Sequence, residues 1–289
     1  MPVPTPSSPS PSTVRSPIPV RRQRHDWNAV PSNWLGGDLL ASAIADGANL
    51  LFPEGERFFV RSVRAFEHAI EDGVLRQQLR GFYGQEGNHA REHERYFEML
   101  RQRGVRFDGF LKVFGRNLRW LEEKVSPELN LAATAASEHF TALMAENGVV
   151  HGTLDEAHPI MRDFLLWHAV EEIEHKAVAF DVLKRVDPRY RTRILGLLIA
   201  SIMLSTHWAA ATLMIARQEG MSFRDIGRAL GRLRQAHKRG EGPKKRIVRD
   251  VFVAGIRSYL RKDFHPDQLG DVEALERYMK TRPDLQVQS

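Results

Sequence analysis

Two Glu-x-x-His units are the residues of this sequence best suited to chemistry. The first runs from Glu86 to His89 and the second from Glu172 to His175. Residues three apart on a helix point the same way, so each unit would present one carboxylate and one imidazole to a common centre. These are ligands that divalent iron and manganese accept. The two units therefore predict a metal site positioned by helices.

A further glutamate precedes each unit at a similar distance. Glu56 lies 29 intervening residues before Glu86. Glu138 lies 33 intervening residues before Glu172. This repeated order is the ligand pattern of carboxylate-bridged dinuclear sites in helix bundles. We therefore expect two divalent metal ions, iron by preference and manganese as the alternative, whose charge would offset four buried carboxylates.

Each candidate ligand can be given a role. The four catalytic and metal-binding carboxylates are Glu56, Glu86, Glu138 and Glu172, of which the two in the Glu-x-x-His units would bridge the ions. His89 and His175 would each bind one ion. The alternative is a network of salt bridges between these glutamates and the many arginines.

Several neighbouring residues have weaker claims. His93 and His168 share the ligand faces, either as extra ligands, as hydrogen-bond partners that orient ligands, or as ordinary core histidines. Glu54 is the alternative to Glu56. We expect Tyr83 to be a core residue, with hydrogen-bond or electron donation as the alternative. Two flanking carboxylates are expected to pair with arginine or to meet water: Glu171 and Glu174.

The elements that carry these residues are helical. Apolar residues recur with helical spacing and no stretch shows sustained strand alternation, which predicts an all-α chain. Together with the repeated ligand pattern, this favours a ferritin-like four-helix bundle with additional C-terminal helices. We expect helices over 38–72 with a kink at Pro53, and over 74–103, 108–125, 127–147 and 159–187.

The chain divides into three predicted parts. Residues 1–24 are rich in Pro, Ser and Arg and predict a disordered tail, 25–188 the metal-binding bundle, and 189–289 a C-terminal helical extension. The absence of cysteine excludes disulfides, thiolate zinc sites and thiol catalysis. Any metal must then be bound by oxygen and imidazole ligands.

The candidate ligands lie in runs that resemble a known family. The runs are 51–59, 85–93 and 167–175, and in them the chain resembles the bacterial predicted metal-dependent hydrolases of the ferritin-like superfamily. The resemblance extends from about residue 26 to the final helix. It implies a helical metal-binding fold, and its name implies hydrolysis without specifying a substrate.

Three functions are compatible with such a site. Two iron ions would activate O₂ and oxidise a small, apolar organic substrate, which the carboxylate-rich ligand set favours. A hydrolase would instead use a metal-bound water to attack an ester, amide or phosphoryl group. The third alternative is a protein that binds metal without turnover. We rank oxidation first, because no separate nucleophile or oxyanion motif is present.

The C-terminal extension begins with an apolar run. No charged residue occurs between Ile194 and Ala216, and residues 221–262 then carry thirteen Lys and Arg against three acids. The run is long enough to span a bilayer, and its basic flanks favour peripheral contact of 189–262 with an anionic membrane. Packing on the bundle and a homodimer interface are the alternatives. We expect a cytoplasmic protein, with or without membrane association, that binds no nucleic acid, because the basic charge is local.

Overall fold

The computed structural model describes residues 18–239, 252–269 and 272–282. Within these ranges it contains helices and no β-strand, which confirms the all-α prediction. The helices are α1 (Leu39–Asn49), α2 (Phe52–Arg64), α3 (Gly73–Gln102), α4 (Asp108–Lys124), α5 (Pro127–His151), α6 (Pro159–His175), α7 (Val178–Val186), α8 (Tyr190–Gln218), α9 (Phe223–Lys238), α10 (Ala254–Tyr259) and α11 (Val272–Thr281). Residues 1–17 of the predicted tail and 240–251 of the basic region lie outside the described residues.

Local sequence explains where the long helices begin and end. Asp38, Asp72 and Ser126 each accept a hydrogen bond from a backbone N–H in the first turn of α1, α3 and α5. Gly104 follows the end of α3 with φ 85°, and Gly152 ends α5 with φ 65°. This left-handed conformation is accessible to glycine at little cost and stops a helix.

Two of the predicted helices are interrupted. The segment predicted over 38–72 separates into α1 and α2, with Pro53 in the first turn of α2. In a continuous helix the ring of Pro53 would clash with the carbonyl group of Asn49, so the helix restarts where a kink was predicted. The segment predicted over 159–187 divides directly after His175, into α6 and α7.

Four helices that carry candidate ligands contribute to a shared interior. α2 packs on α3 and α5, and α6 packs on α3 and α5. Large side chains from α2, α3, α5 and α7 fill the interior, including Phe58, Phe82, Phe140 and Phe180. The helices are therefore held in a fixed relation, and the ferritin-like assignment of their arrangement stays a prediction.

Helix α8 covers the bundle along α5 and α1. At Gly196 the backbone of α8 lies so close to Ala132 of α5 that a Cβ atom would not fit. Leu197 and Ala200 join the apolar cluster of the bundle, and Ile215 joins a second cluster with α1. The extension predicted from residue 189 thus shares its core with the bundle.

Helix α8 is also long and apolar enough to cross a membrane, judged by length and composition alone. Its most apolar window has a mean hydropathy of 1.7, and 22% of that window is buried. Leu195, Leu198 and Ile202 are 51%, 55% and 52% exposed. Because a core helix of a soluble protein can pass the same test, membrane contact of 189–262 stays a prediction.

The segment before α1 packs against α3. Ile18 is buried in the core of the bundle, next to Gly81, and Val20 lies against Gly84. A Cβ atom at either glycine would approach these side chains to 2.5 Å. Residues 18–24 therefore belong to the packed body, which corrects their assignment to a disordered tail.

Candidate metal centre

Eight buried side chains from four helices converge in one cluster. They form four overlapping groups, in each of which the possible ligand atoms all lie within 4.8 Å of one another. The groups are Glu56 with His93 and His168, His89 with His168 and Glu172, Glu56 with Glu86 and His89, and Glu86 with Glu138 and His175. All eight are at most 4% exposed. The cluster contains the six predicted ligands and the two weaker histidines, and it leaves out Glu54, the alternative to Glu56.

The start of α2 decides between its two glutamates. Glu56 is 1% exposed and faces the cluster. Glu54 is partly exposed and accepts a hydrogen bond from Arg57 at 3.1 Å. Since Pro53 sets where α2 begins, Glu56 is placed one turn inside the helix and points inward.

Three carboxylates of the cluster have no hydrogen-bond donor. Neither carboxylate oxygen of Glu56, Glu86 or Glu138 makes a hydrogen bond of acceptable geometry within the described residues. His175 Nε2 lies 3.1 Å from Glu86 Oε1 and 3.2 Å from Glu138 Oε2, close enough for an ionic contact only. Buried carboxylates without hydrogen-bond donors are costly, and the single imidazole of His175 is shared between Glu86 and Glu138, so this arrangement requires a further cation or bound protons.

The carboxyl pKa values reflect the same environment. Burial raises the pKa of Glu56 and Glu86 well above the ordinary value, and repulsion among the glutamates adds to the effect. Burial also raises the pKa of Glu138, to about 7, although His175 opposes the rise. Glu172 differs, because His175 and His168 overcome the effect of burial and hold its pKa well below the ordinary value.

The histidines fall into two electrostatic classes. Burial lowers the pKa of His89 and His93 well below the ordinary value, and the neighbouring His168 lowers it further. These imidazoles are neutral at neutral pH and can offer a lone pair to a metal ion. For His175, burial also acts to lower the pKa, but Glu138 and Glu172 outweigh it and raise the pKa well above the ordinary value.

A hydrogen bond fixes the orientation of each motif histidine. His89 Nε2 donates to Glu171 Oε2 at 2.9 Å, which leaves Nδ1 facing Glu172 Oε1 at 3.6 Å. His175 Nδ1 bonds to Gln85 Oε1 at 2.8 Å, which leaves Nε2 facing Glu86 and Glu138. Each imidazole is thereby held with one nitrogen directed into the cluster.

The two orienting residues occupy equivalent positions. Gln85 directly precedes Glu86 and holds the histidine of the second motif, whereas Glu171 directly precedes Glu172 and holds the histidine of the first. No role was predicted for Gln85 from the sequence, whereas an arginine partner was predicted for Glu171, which contacts Arg21. The place of Gln85 next to the motif was the available signal.

His168 and His93 form a separate pair beside these ligands. His168 Nε2 lies 2.9 Å from Glu172 Oε1, and its Nδ1 lies 3.0 Å from His93 Nε2. The ring of Phe52 packs on both imidazoles, with centroids 4.8 Å away in each case. His93 Nδ1 has no described hydrogen-bond partner. Both histidines thus sit where they can bind metal or orient Glu172.

Tyr83 lies outside the four groups of candidate ligands. The Arg64 guanidinium stacks over its ring at 4.7 Å, and burial raises its pKa to about 12. Phe82 is the residue that makes a ring contact with His175, with centroids 5.1 Å apart. The position of Tyr83 is consistent with the core role predicted for it.

Comparison with known proteins gives one match. A sequence model of a family described as predicted metal-dependent hydrolase matches residues 19–270. No curated protein and no solved structure matches the chain. The matched region contains the whole cluster and begins at the segment that packs on α3, seven residues earlier than the resemblance noted from the sequence.

Proposed function

The chain belongs to the predicted metal-dependent hydrolase family, and we propose that it hydrolyses a small organic substrate with two divalent metal ions held in the buried cluster. One observation carries the proposal. Three glutamates, Glu56, Glu86 and Glu138, direct carboxylates into the protein interior with no hydrogen-bond donor among the described residues. Divalent cations are partners that would compensate this charge.

The donor set fits iron or manganese. Glu86, Glu138 and His175 would hold one ion. The second would lie among the remaining ligands, which are Glu56, His89, Glu172, His93 and His168. Carboxylate oxygens with imidazole nitrogens and no thiolate are typical ligands of these two metals.

The metal and the protein would divide the chemistry. Bound metal supplies Lewis acidity, which lowers the pKa of a coordinated water and polarises an ester, amide or phosphoryl oxygen. The chain keeps His89 and His93 neutral by burial, so that their lone pairs are available. Phe52 and Trp167 pack against the imidazoles and limit the access of bulk water. Electrostatic interactions are stronger in such a dry site.

An apolar cavity that shares Phe52 with the surroundings of the cluster suits the substrate predicted from the sequence. It lies between α2, α4, α5 and α8, has a volume of about 70 Å³, and is lined by Phe52, Phe59, Phe114, Ala200 and Met203 among others. Phe52 belongs both to this wall and to the imidazole packing. The volume is about half that of an engineered cavity of about 150 Å³ that binds benzene, so it suits a short, unbranched alkyl chain.

Ester hydrolysis without O₂ tests the proposal. Metal-free protein would be reloaded with Mn(II), Fe(II) or Zn(II) under anaerobic conditions and assayed on p-nitrophenyl alkanoates of increasing chain length, and on a phosphate ester. We expect metal-dependent cleavage that Glu138→Gln abolishes and Glu146→Gln, a partly exposed position on the same helix, retains. Absence of cleavage of every ester class under all three metals would remove the proposal.

A cavity variant tests the substrate class. Ala200→Leu narrows the cavity, whereas Ala210→Leu adds the same side chain at an exposed position of the same helix. We expect the first variant to raise KM for the longer alkanoates relative to acetate, and the second to leave the ratio unchanged. Equal KM ratios in the two variants would place the substrate elsewhere.

Oxidation is the second candidate, and it was ranked first from the sequence. The family description fits hydrolysis better. The observation that favours oxidation is the presence of four carboxylates among the eight residues of the cluster, since such ligand sets suit iron. Substrate-dependent O₂ consumption by the Fe(II)-loaded protein, with no cleavage under anaerobic conditions, would favour this candidate over the hydrolase.

A further inference from the structure

We propose that Arg21, in the segment before the first helix, is a positioning residue for both motif histidines. The proposal rests on the cluster being the metal site described above. Arg21 is 150 residues from Glu171 in the chain, and its guanidinium donates to Glu171 and Glu174, which lie outside the four groups of candidate ligands. It would act through the residues that orient His89 and His175.

The segment around Arg21 is built into the groove between α3 and α6. Asn88 Nδ2 donates to the carbonyl oxygen of Arg21, and Gln85 Nε2 donates to that of Pro19 at 2.8 Å. His25 then contacts Glu92 at 3.0 Å and Asp163 at 3.1 Å. These contacts on both sides hold the Arg21 side chain, which is 8% exposed, at one place.

The first chain of contacts runs from Arg21 to His89. The guanidinium donates to Glu171 Oε1 at 3.2 Å, and the backbone N–H donates to the same oxygen at 3.3 Å. The other oxygen, Oε2, accepts from His89 Nε2 at 2.9 Å. The Glu171 side chain is fully buried, so Arg21 supplies the positive charge that it needs in order to hold His89.

The second chain runs from Arg21 to His175. The guanidinium makes two hydrogen bonds to Glu174, at 2.7 and 2.8 Å. Glu174 Oε2 accepts from Gln85 Nε2 at 2.9 Å. With its amide nitrogen committed to acceptors, Gln85 must present Oε1 to His175 Nδ1, at 2.8 Å. Arg21 thereby fixes the direction of the Gln85 amide and, through it, the nitrogen that His175 directs into the cluster.

Loss of Arg21 would affect both chains together. Glu171 would be left as a buried carboxylate without its cation. Glu174 would be free to turn toward water, which would leave the Gln85 amide with the Pro19 carbonyl as its remaining acceptor. Residues that orient ligand histidines in this way change metal affinity by roughly 10- to 100-fold when substituted. Because one guanidinium serves both histidines, the loss should appear at both metal ions.

A two-step titration separates these effects. Co(II) would be added to metal-free protein and followed by its visible absorption, with thermal unfolding of the metal-free protein as the measure of structure. We expect Arg21→Ala to lower the Co(II) affinity of both binding steps by roughly tenfold or more. Glu171→Gln should lower the affinity of one step, and Gln85→Ala that of the other. Arg22→Ala, at an exposed neighbour in the same segment, should match the wild type.

A conservative variant separates positioning from packing. Arg21→Lys keeps the charge but cannot make the paired contacts to Glu174. Relative to Arg21→Ala, we therefore expect it to restore Co(II) affinity more in the step that depends on Glu171 than in the step that depends on Gln85. The proposal for Arg21 is overturned if Arg21→Ala binds Co(II) as tightly as Arg22→Ala does, or if its affinity falls in one step only. Either result leaves the metal site itself intact. Wild-type protein that binds no Co(II) removes the metal site itself.

Discussion

Buried carboxylates occur in two contrasting regions of this protein. Asp46 in α1 is 4% exposed and accepts hydrogen bonds from Trp34 Nε1 at 3.0 Å and Tyr96 Oη at 2.6 Å. Glu86 and Glu138 are equally buried but have no hydrogen-bond donor within the described residues. A carboxylate that the protein supplies with donors is a structural element, whereas carboxylates gathered without donors require a cation or bound protons, and we propose that metal ions supply the charge.

The neighbours of each region sharpen the contrast. The donors of Asp46 are neutral, and burial raises its pKa to about 6 against their effect. The glutamates of the cluster instead face other glutamates and histidines. Substituting the two regions should therefore have different and in part opposite consequences for metal binding and stability.

The largest expected effect is on metal binding. Glu86→Gln and Glu138→Gln each remove a charge that would hold a metal ion, and loss of one partner of a buried ionic contact costs about 3 kcal/mol or more, roughly a hundredfold in affinity. Equilibrium dialysis with Mn(II) and elemental analysis would measure the loss. Asp46→Asn should retain the wild-type stoichiometry. If Asp46→Asn lost as much bound metal as Glu138→Gln, the distinction between the two regions would not hold.

Metal removal should be the next largest effect. At free metal a hundredfold above Kd, binding to the folded state alone stabilises the protein by about 2.7 kcal/mol. We therefore expect a chelator to lower the Tm of the wild type and of Asp46→Asn by similar amounts. Glu138→Gln should show a smaller shift, since part of its metal affinity is already lost. A chelator without effect on the wild-type Tm would argue against a site that binds metal tightly.

In metal-free protein the two regions should respond with opposite sign. Glu56→Gln removes a carboxyl group whose charged form is disfavoured by burial and by repulsion from the other three glutamates, and it should raise the free energy of unfolding by about 1 to 2 kcal/mol. Asp46→Ala leaves the Trp34 and Tyr96 donors unpaired and should lower it by a similar amount. Urea unfolding at neutral pH in the presence of chelator would compare them. The contrast fails if both variants are destabilised equally.

The ligands of the cluster could be predicted because their spacing is local. His89 lies three positions after Glu86, and any helix brings such a pair to one face, so helical periodicity was enough. Pro53 was recognised as a disruption, but whether it kinks or ends a helix depends on packing between α1 and its neighbours. Glu56 was preferred to Glu54 from the sequence, and burial of Glu56 supports that preference.

What joins distant segments could not be predicted from one sequence. Arg21 lies in a stretch of Pro, Ser and Arg whose composition indicates disorder, and its contacts with Glu171 and Glu174 depend on the path of the chain across α3. The residue type of Gln85 did not indicate its role, because a glutamine on a helix has no preferred partner. Contacts between residues so far apart in the chain are set by the fold, and no local sequence pattern indicates them.

The smallest effect expected is a change in the pH dependence of stability. The pKa of Asp46 is raised from 3.8 to about 6, so the folded state holds this proton more tightly than the unfolded state does. The resulting stabilisation is complete below the ordinary pKa and is lost as the pH rises through about 6. Between pH 5 and 7 the wild type should lose about 1 kcal/mol relative to Asp46→Asn, measured by urea unfolding of both proteins in chelator. Groups in the cluster titrate in both proteins and cancel in the difference, so parallel pH profiles would mean that Asp46 is ionised at no cost and that its two donors fully replace water.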